Sequence, residues 1–402
     1  MDNLQIFAGQ RLAGTLQRDL EGITFRYMDG YTGPPVFMSW PLRSMARHWR
    51  DLPAELSCLL PQGLQLGQWR DSGATDLSDW GLLASMGADL PGMVSVLPTN
   101  SKATLMGRGA VGLKQLNRAR IVPGINALPH TAREVAVFCS ETGFTHSLAS
   151  RAASVNAIYS RKDSSFKLVK TNGRYRLTVE PKESPGMVAN QLLTSRLAHD
   201  AGLLVAQAGK IQTNDGVPVM WVERFDRFGA SNIQRLRTES ACQLLGQPPV
   251  AKYDGTVESI AQLIRQHCTN PKIQLMRLFH RLLFGWLTGN SGLHLKKWSF
   301  LQNGSIVELS PAYGLINDAI LSKNATESAL LIDNRREGLD RQSLLNYLGE
   351  EVCELNPRMI ARVMKQLKAV RWEQRISESG LSTSCQRAYF ELISERWLQL
   401  QR

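Results

Sequence analysis

A switch in hydrophobic periodicity near residue 239 constrains this chain more than any other feature. Upstream, short runs rich in β-branched and aromatic residues are bounded by Gly, Pro, Asn and Asp, the punctuation of strands. Downstream, apolar residues recur at helical spacing. The first hundred residues predict strands at 4–8, 11–16, 23–28 and 36–40, then helices at 53–60 and 77–86. Asp76 is the N-cap candidate for the second helix and Gly87 its stop. A closing strand at 93–97 follows Pro91-Gly92. Beyond a helix at 132–141, runs at 166–170 and 175–179 flank Thr171-Asn172-Gly173. Asn-Gly readily takes positive φ, so this segment predicts a hairpin. A helix at 187–201, ended by Gly202, precedes strands at 204–211 and 217–225. Helices are expected at 241–245, 256–267, 273–287, 341–348, 357–370 and 383–400. The chain is therefore α+β, with strands and helices segregated along its length.

With 402 residues the chain exceeds one compact core and suits two or three domains. The boundaries expected are 1–98 for an N-terminal α/β subdomain, 99–130 for a basic Gly-containing linker, 131–238 for a mixed region and 239–402 for a helical one. At 43% hydrophobic and 20% charged residues, and without a long apolar run, neither a disordered nor a membrane-spanning chain is expected. Met1-Asp2-Asn3-Leu4-Gln5 lacks the basic start of a secretory signal, which predicts a cytoplasmic protein. Six scattered cysteines (Cys58, Cys139, Cys242, Cys268, Cys353, Cys385) form no C-x-x-C pair, so zinc and redox motifs are not indicated. The net charge of +12 favours an acidic partner, with nucleic acid the commonest. Lys102, Arg108, Lys114, Arg118 and Arg120 stand among Gly107, Gly109 and Gly112 with no acidic residue between 101 and 130. They are candidate phosphate contacts, although charge runs are usually just solvated and a basic linker between domains is the favoured reading.

The chemistry-bearing stretch is Thr288-Gly289-Asn290-Ser291-Gly292-Leu293-His294-Leu295-Lys296-Lys297-Trp298-Ser299, followed by Leu309-Ser310-Pro311-Ala312-Tyr313-Gly314-Leu315-Ile316. A helix, a polar loop and a short hairpin leading to a second polar loop form the catalytic-loop and metal-loop arrangement of kinases. Together with Val222-Glu223-Arg224-Phe225-Asp226-Arg227, the segment 235–246 and Lys252-Tyr253, this chain resembles the HipA family of bacterial serine/threonine kinases. Leu59-Leu60-Pro61-Gln62-Gly63 resembles the family's N-terminal subdomain. The resemblance implies a bilobal protein-kinase-like fold, in which 131–238 is the small lobe and 239–402 the helical C-terminal lobe.

It also implies where chemistry should sit. The family's first loop carries an Asp base at the position of Gly292 and a magnesium-binding Asn at the position of Lys297, while Asn290, His294 and Lys296 match. The second loop carries a magnesium-binding Asp at the position of Gly314. The phosphate loop aligns with Ser154 through Arg161, where Ala157 and Arg161 replace its glycine and lysine. Val179 and Gln191 replace a lysine-glutamate pair, and Ser154 aligns with a phosphoacceptor serine. A carboxylate displaced to Asp318 or Asp333 is the remaining route to a base. These positions predict a degenerate kinase that acts by binding, with no metal or cofactor, beside a HipB-like antitoxin or repressor and nucleic acid. The alternative is an active or rewired ATP- and Mg-dependent serine/threonine kinase toxin.

Overall fold

The computed structural model describes residues 2–42, 45–61, 76, 78–99, 128–142, 154–160, 162–229, 233–322 and 324–401. Two compact units interleave along the chain. The first comprises Met1–Val179, Ile211–Pro249 and Leu301–Gly304, and the second Glu180–Lys210, Val250–Phe300 and Ser305–Arg402.

In the first unit, strands β1 (Asp2–Ala8), β2 (Arg11–Arg18), β3 (Ile23–Tyr27), β4 (Arg47–Trp49) and β5 (Val94–Pro98) form a sheet in the order β4-β3-β2-β1-β5. Alternation along β1 buries Leu4, Ile6 and Ala8 on one face, the period-two pattern of a half-buried strand. Residues 36–40 were expected to form a strand, and here the structure corrects the sequence reading. They fold as turns, because their backbone donors go elsewhere: Val36 N–H to the Tyr27 hydroxyl (3.0 Å), Met38 N–H to Glu239 Oε1 (2.7 Å) and Trp40 N–H to the Phe37 carbonyl (3.0 Å). Trp40 is thereby fully buried, its ring 4.9 Å from Phe25 and 5.0 Å from Trp49. Such a contact secures an aromatic core beyond simple area burial. The N-cap of the helix Asp79–Met86 is Ser78, whose hydroxyl accepts from Gly81 N–H, while Asp76 bonds Ser78 instead.

A second sheet holds β6 (Ser154–Ser160), β7 (Ser165–Leu168), β8 (Tyr175–Val179), β9 (Ala208–Gln212) and β10 (Pro218–Glu223) in the order β7-β6-β8-β10-β9. The expected hairpin between 166–170 and 175–179 is not formed. Both β7 and β8 pair antiparallel with β6, one on each side. Asn172 does take φ 67°, but its N–H bonds Asp89 Oδ2 at 3.0 Å, and the segment carries the chain across β6. Gly173 makes that crossing possible: a Cβ there would lie 2.5 Å from Asn156 Cβ and 2.8 Å from Ala157 N.

Behind this crossing lies a buried charge cluster. Asp226 accepts from Arg227 (2.6 Å), Arg224 (3.0 Å) and Gly92 N–H (2.9 Å), while Asp89 pairs with Arg227 at 3.0 Å. Arg235 donates to the carbonyls of Leu90 and Val94 (2.7 and 2.6 Å). The neighbouring guanidinium groups hold both carboxyls well below the usual carboxylate range, against the opposing effect of burial.

The second unit is mainly helical, built from Met187–Asp200, Val257–His267, Pro271–Leu287, Gln342–Val352, Pro357–Lys368, Trp372–Ser377 and Thr383–Gln399. Pro271–Leu287 is its axis, with Leu275, Leu278, Phe279, Leu282, Leu283 and Leu287 all buried. His280 on this helix is packed, and burial pushes its pKa down to about 4. Gln342–Val352, expected as an ordinary helix, has π geometry, and Trp372–Ser377 was not anticipated. Among the described residues no helix is long and apolar enough to cross a membrane.

Candidate functional site

The two polar loops singled out in the sequence come together in the second unit. The helix Pro271–Leu287 ends where the Thr288 hydroxyl donates back to the Phe284 carbonyl (2.9 Å) and Gly289 turns at φ 67°. The Gly289 carbonyl then accepts from Asp318 N–H (2.9 Å) and Ala319 N–H (3.2 Å). A Cβ on Gly289 would stand 2.6 Å from Asn317 Oδ1, so only glycine allows this approach. Asn190, on the helix Met187–Asp200, clamps the same loop: its amide donates to the Asn317 carbonyl (3.0 Å) and its Oδ1 accepts from Asn317 N–H (2.9 Å). Sequence reasoning missed both asparagines. No local pattern marks a pair 127 residues apart.

Within the first loop, Asn290 Oδ1 accepts from Gly292 N–H at 3.1 Å. Leu295 N–H is anchored on the Lys252 carbonyl (2.9 Å), and Trp298 Nε1 donates to the Leu293 carbonyl (3.0 Å). The Tyr253 and His294 rings meet edge to face, 5.0 Å apart. Tyr313 OH donates to the Lys296 carbonyl (2.9 Å) and lies 2.8 Å from Ser299 Oγ. Asn290, His294 and Tyr313 thus fasten the loops. Two buried nitrogens in this lattice, Asn290 Nδ2 and His294 Nδ1, have no hydrogen-bond partner among the described residues.

Gly292 and Gly314, expected from the sequence as departures from the two loops, have their side-chain space approached by other groups. Gly314 has φ 60°, and a Cβ there would collide with Lys297 Nζ. Lys297 also lies over the Tyr313 ring, 5.3 Å from its centre. At Gly292, a Cβ would lie 3.3 Å from Asn290 Oδ1 and 3.3 Å from Asp318 Oδ2. A carboxylate from another loop therefore reaches the space beside Gly292, and an ammonium occupies the side-chain space of Gly314. Burial pushes the Lys297 ammonium down to about 8, with Asp318 opposing and Lys252 and Lys296 reinforcing the shift. Burial and the same three lysines push His294 to about 2, so its imidazole is neutral.

A divalent metal does not fit these residues. Metal sites of the magnesium type need converging oxygen ligands, and here one expected ligand position holds an ammonium and the other a glycine. Asp333, the second candidate for a displaced carboxylate, instead pairs with Arg335 at 3.1 Å.

The remaining candidates lie in the first unit or apart from these loops. The segment aligned with a phosphate loop, Ser154–Ser160, is strand β6: Ser154–Ala157 pair with β8 and Ala157–Ser160 with β7. Ser154 is buried with its hydroxyl 2.8 Å from Thr178 Oγ1, and Ala157 is fully buried. Val179 ends β8, and Gln191 lies on Met187–Asp200 with its carbonyl accepting from Ser195 Oγ at 2.8 Å. Arg161, Lys102, Arg108, Lys114, Arg118 and Arg120 lie outside the described residues. Five cysteines are buried, and burial pushes the Cys353 thiol up to about 12, which leaves it a poor nucleophile.

A five-stranded sheet, a helical unit and two polar loops meeting at the end of its central helix define a protein of the kinase-like class. The HipA-like C-terminal domain family matches residues 147–373 and the HipA N-terminal domain family residues 4–97, and the chain belongs to the HipA-like family. A putative kinase, Y4mE, of Sinorhizobium fredii is 25% identical over 83% of this chain and 81% of its own length. The serine/threonine-protein kinase toxin HipA of Shewanella oneidensis is 28% identical over 40% of each chain. The solved complex of Shewanella oneidensis HipA, HipB and operator DNA contains a chain that superposes with a TM-score of 0.74, at 20% identity, covering 99% of this chain and 97% of that one.

Proposed function

We propose that this chain is a catalytically degenerate HipA-like protein whose role is to bind, with a HipB-like DNA-binding protein or nucleic acid as its partner. The observation that carries this reading is the Lys297 ammonium in the side-chain space of Gly314. Phosphoryl transfer relies on positioning and on cations that neutralise developing charge, held by carboxylates. A fixed ammonium beside a glycine provides neither carboxylate nor room for one. The partner assignment rests on the HipA–HipB–operator DNA neighbour and on the net charge of +12. Incubation with γ-labelled ATP and Mg²⁺ tests the degenerate reading: no label should enter the chain, and stoichiometric incorporation overturns it. For nucleic acid, reversing Lys102, Arg108 and Lys114 to Glu should shallow the salt dependence of duplex retention. An unchanged slope removes the basic segment from the interface.

A second reading, a rewired kinase, is favoured by one observation, the Asp318 carboxylate oxygen 3.3 Å from the Cβ position of Gly292. Under that reading D318N abolishes label incorporation that the parent chain shows.

A further inference from the structure

Cys58 and Cys242 lie on distant stretches of the chain, yet both aim at one atom. The Cys58 thiol donates to the Gln247 carbonyl at 3.5 Å and the Cys242 thiol to the same oxygen at 3.3 Å. The two sulfurs are therefore no further apart than the sum of those distances. Local structure fixes this convergence. Gly246, at φ 64°, turns the chain after the helix Ala241–Leu244, so that Gln247 N–H bonds the Cys242 carbonyl (2.9 Å) while its own carbonyl meets both thiols. Cys58 ends the short helix Ala54–Ser57, and Gln243 Nε2 ties that helix to the same segment by donating to the Glu55 carbonyl at 2.8 Å. The sulfurs thus stand on two separate segments of the first unit, Met1–Val179 and Ile211–Pro249, between which the chain passes through the second. Exposure is 1% at Cys58 and 0% at Cys242, so a bulky thiol reagent is excluded from both. Ala54–Ser57 is a single turn without a side-chain N-cap bond, and its opening is a local event that admits a small molecule.

We infer that Cys58 and Cys242 are a peroxide-responsive disulfide site: a small peroxide that enters beside the Ala54–Ser57 turn closes the pair within the folded chain. One sulfur, as thiolate, attacks the peroxide O–O bond, becomes a sulfenic acid and releases hydroxide, which takes up a proton to leave as water. The second sulfur, as thiolate, then attacks the first and expels its oxygen, which leaves as a second water. One S–S bond replaces two S–H bonds, and the two electrons lost by sulfur reduce the peroxide. The neighbouring thiol traps the sulfenic acid before further peroxide reaches it, and a thiol reductant reverses the bond. Because the link ties together segments far apart in sequence, it restricts the unfolded chain and favours the folded first unit.

The experiment treats the reduced full chain with hydrogen peroxide in native buffer, blocks the remaining thiols under denaturing conditions and maps the peptides by mass. It is run in parallel on C385S, which lacks the partly exposed thiol that could join two copies. A peptide pair joined through Cys58 and Cys242 should be the main species that dithiothreitol reverses, and the oxidised chain should melt several degrees above the reduced one. C58S and C242S should each abolish both the link and the rise, while C353S, at a buried thiol of the second unit, should leave the link in place. Melting of the reduced variants in the same scans separates a lost link from lost folding. Absence of the joined pair in native buffer overturns the inference, as does preferential linkage of any other two cysteines. A pair that forms only in denaturant refutes it too, since the sulfurs would then not meet in the folded chain. A link that leaves melting unchanged or lowers it shows that the folded geometry resists the bond, and the site assignment falls.

Discussion

Gly314 and Lys297 exclude each other's alternatives. A side chain at 314 must both adopt φ 60°, which non-glycine residues rarely do, and displace the Lys297 ammonium. G314D is therefore expected to lower the melting temperature by several degrees, while the double variant G314D/K297N, which vacates that space, should recover part of the loss. Equal melting of the single and double variants in a thermal scan would show that the two positions are not coupled. Neither variant should transfer phosphate, since the segment aligned with a phosphate loop remains a strand. The glycines and Lys297 were legible in the sequence as departures from a pattern. Asp318 was named there as a candidate displaced carboxylate beside Asp333, but the choice between them was not legible, because Asp318 reaches Gly292 only after Gly289 has brought the two loops together. Long-range contacts of this kind leave no local periodicity.

Among the elements, the helices of the second unit other than Trp372–Ser377 were read with small boundary errors, because amphipathic spacing and caps such as Thr256 are local. The strands divided differently. β1, β2, β3, β5, β8 and β10 were foreseen at their core positions, but the Asn172-Gly173 signal led to a pairing that does not exist. Positive φ at Asn172 is compatible with a hairpin and with a crossing, and only the intervening strand β6 decides between them. Gly173 distinguishes the two physically. In a hairpin loop an added methyl meets solvent, whereas here it meets Asn156 and Ala157. G173A should destabilise the chain by about 1–3 kcal/mol, the usual cost of forcing atoms into filled space, measured as a shift in the denaturant midpoint with an unchanged slope. A neutral substitution would show that Gly173 does not approach Asn156 and Ala157 this closely.

For the whole molecule, the first unit is drawn together by charges that its own sequence pattern did not reveal. Arg224 and Arg227 pair with Asp226 and with Asp89, which is distant in sequence. Glu239 is buried, bonded to Met38 N–H, and burial pushes its pKa up to about 7 despite that bond and the nearby Arg237. An acid whose folded pKa is raised contributes fully below its unfolded value near 4.5 and loses that contribution as pH rises through about 7. Stability should therefore decline between about pH 4.5 and 7, and E239Q, which stays neutral and retains an acceptor for Met38, should flatten the decline. Parallel melting curves for the two proteins across this range would remove Glu239 as the cause. The two-unit arrangement itself was only partly legible, since the strand-rich and helical halves are visible in the sequence but the exchange of segments between them is not.

That interleaving bears on how the molecule is made. The first unit lacks β10 until residue 223 has been synthesised and its last segment until 304, and the second begins at 180 but receives most of its helices after 250. During translation at about 5–20 residues per second, the apolar face of the early strands waits about 10–40 seconds for its remaining partners. A cut at any single peptide bond between 180 and 304 leaves at least one unit incomplete, so neither can be expressed as one uninterrupted fragment.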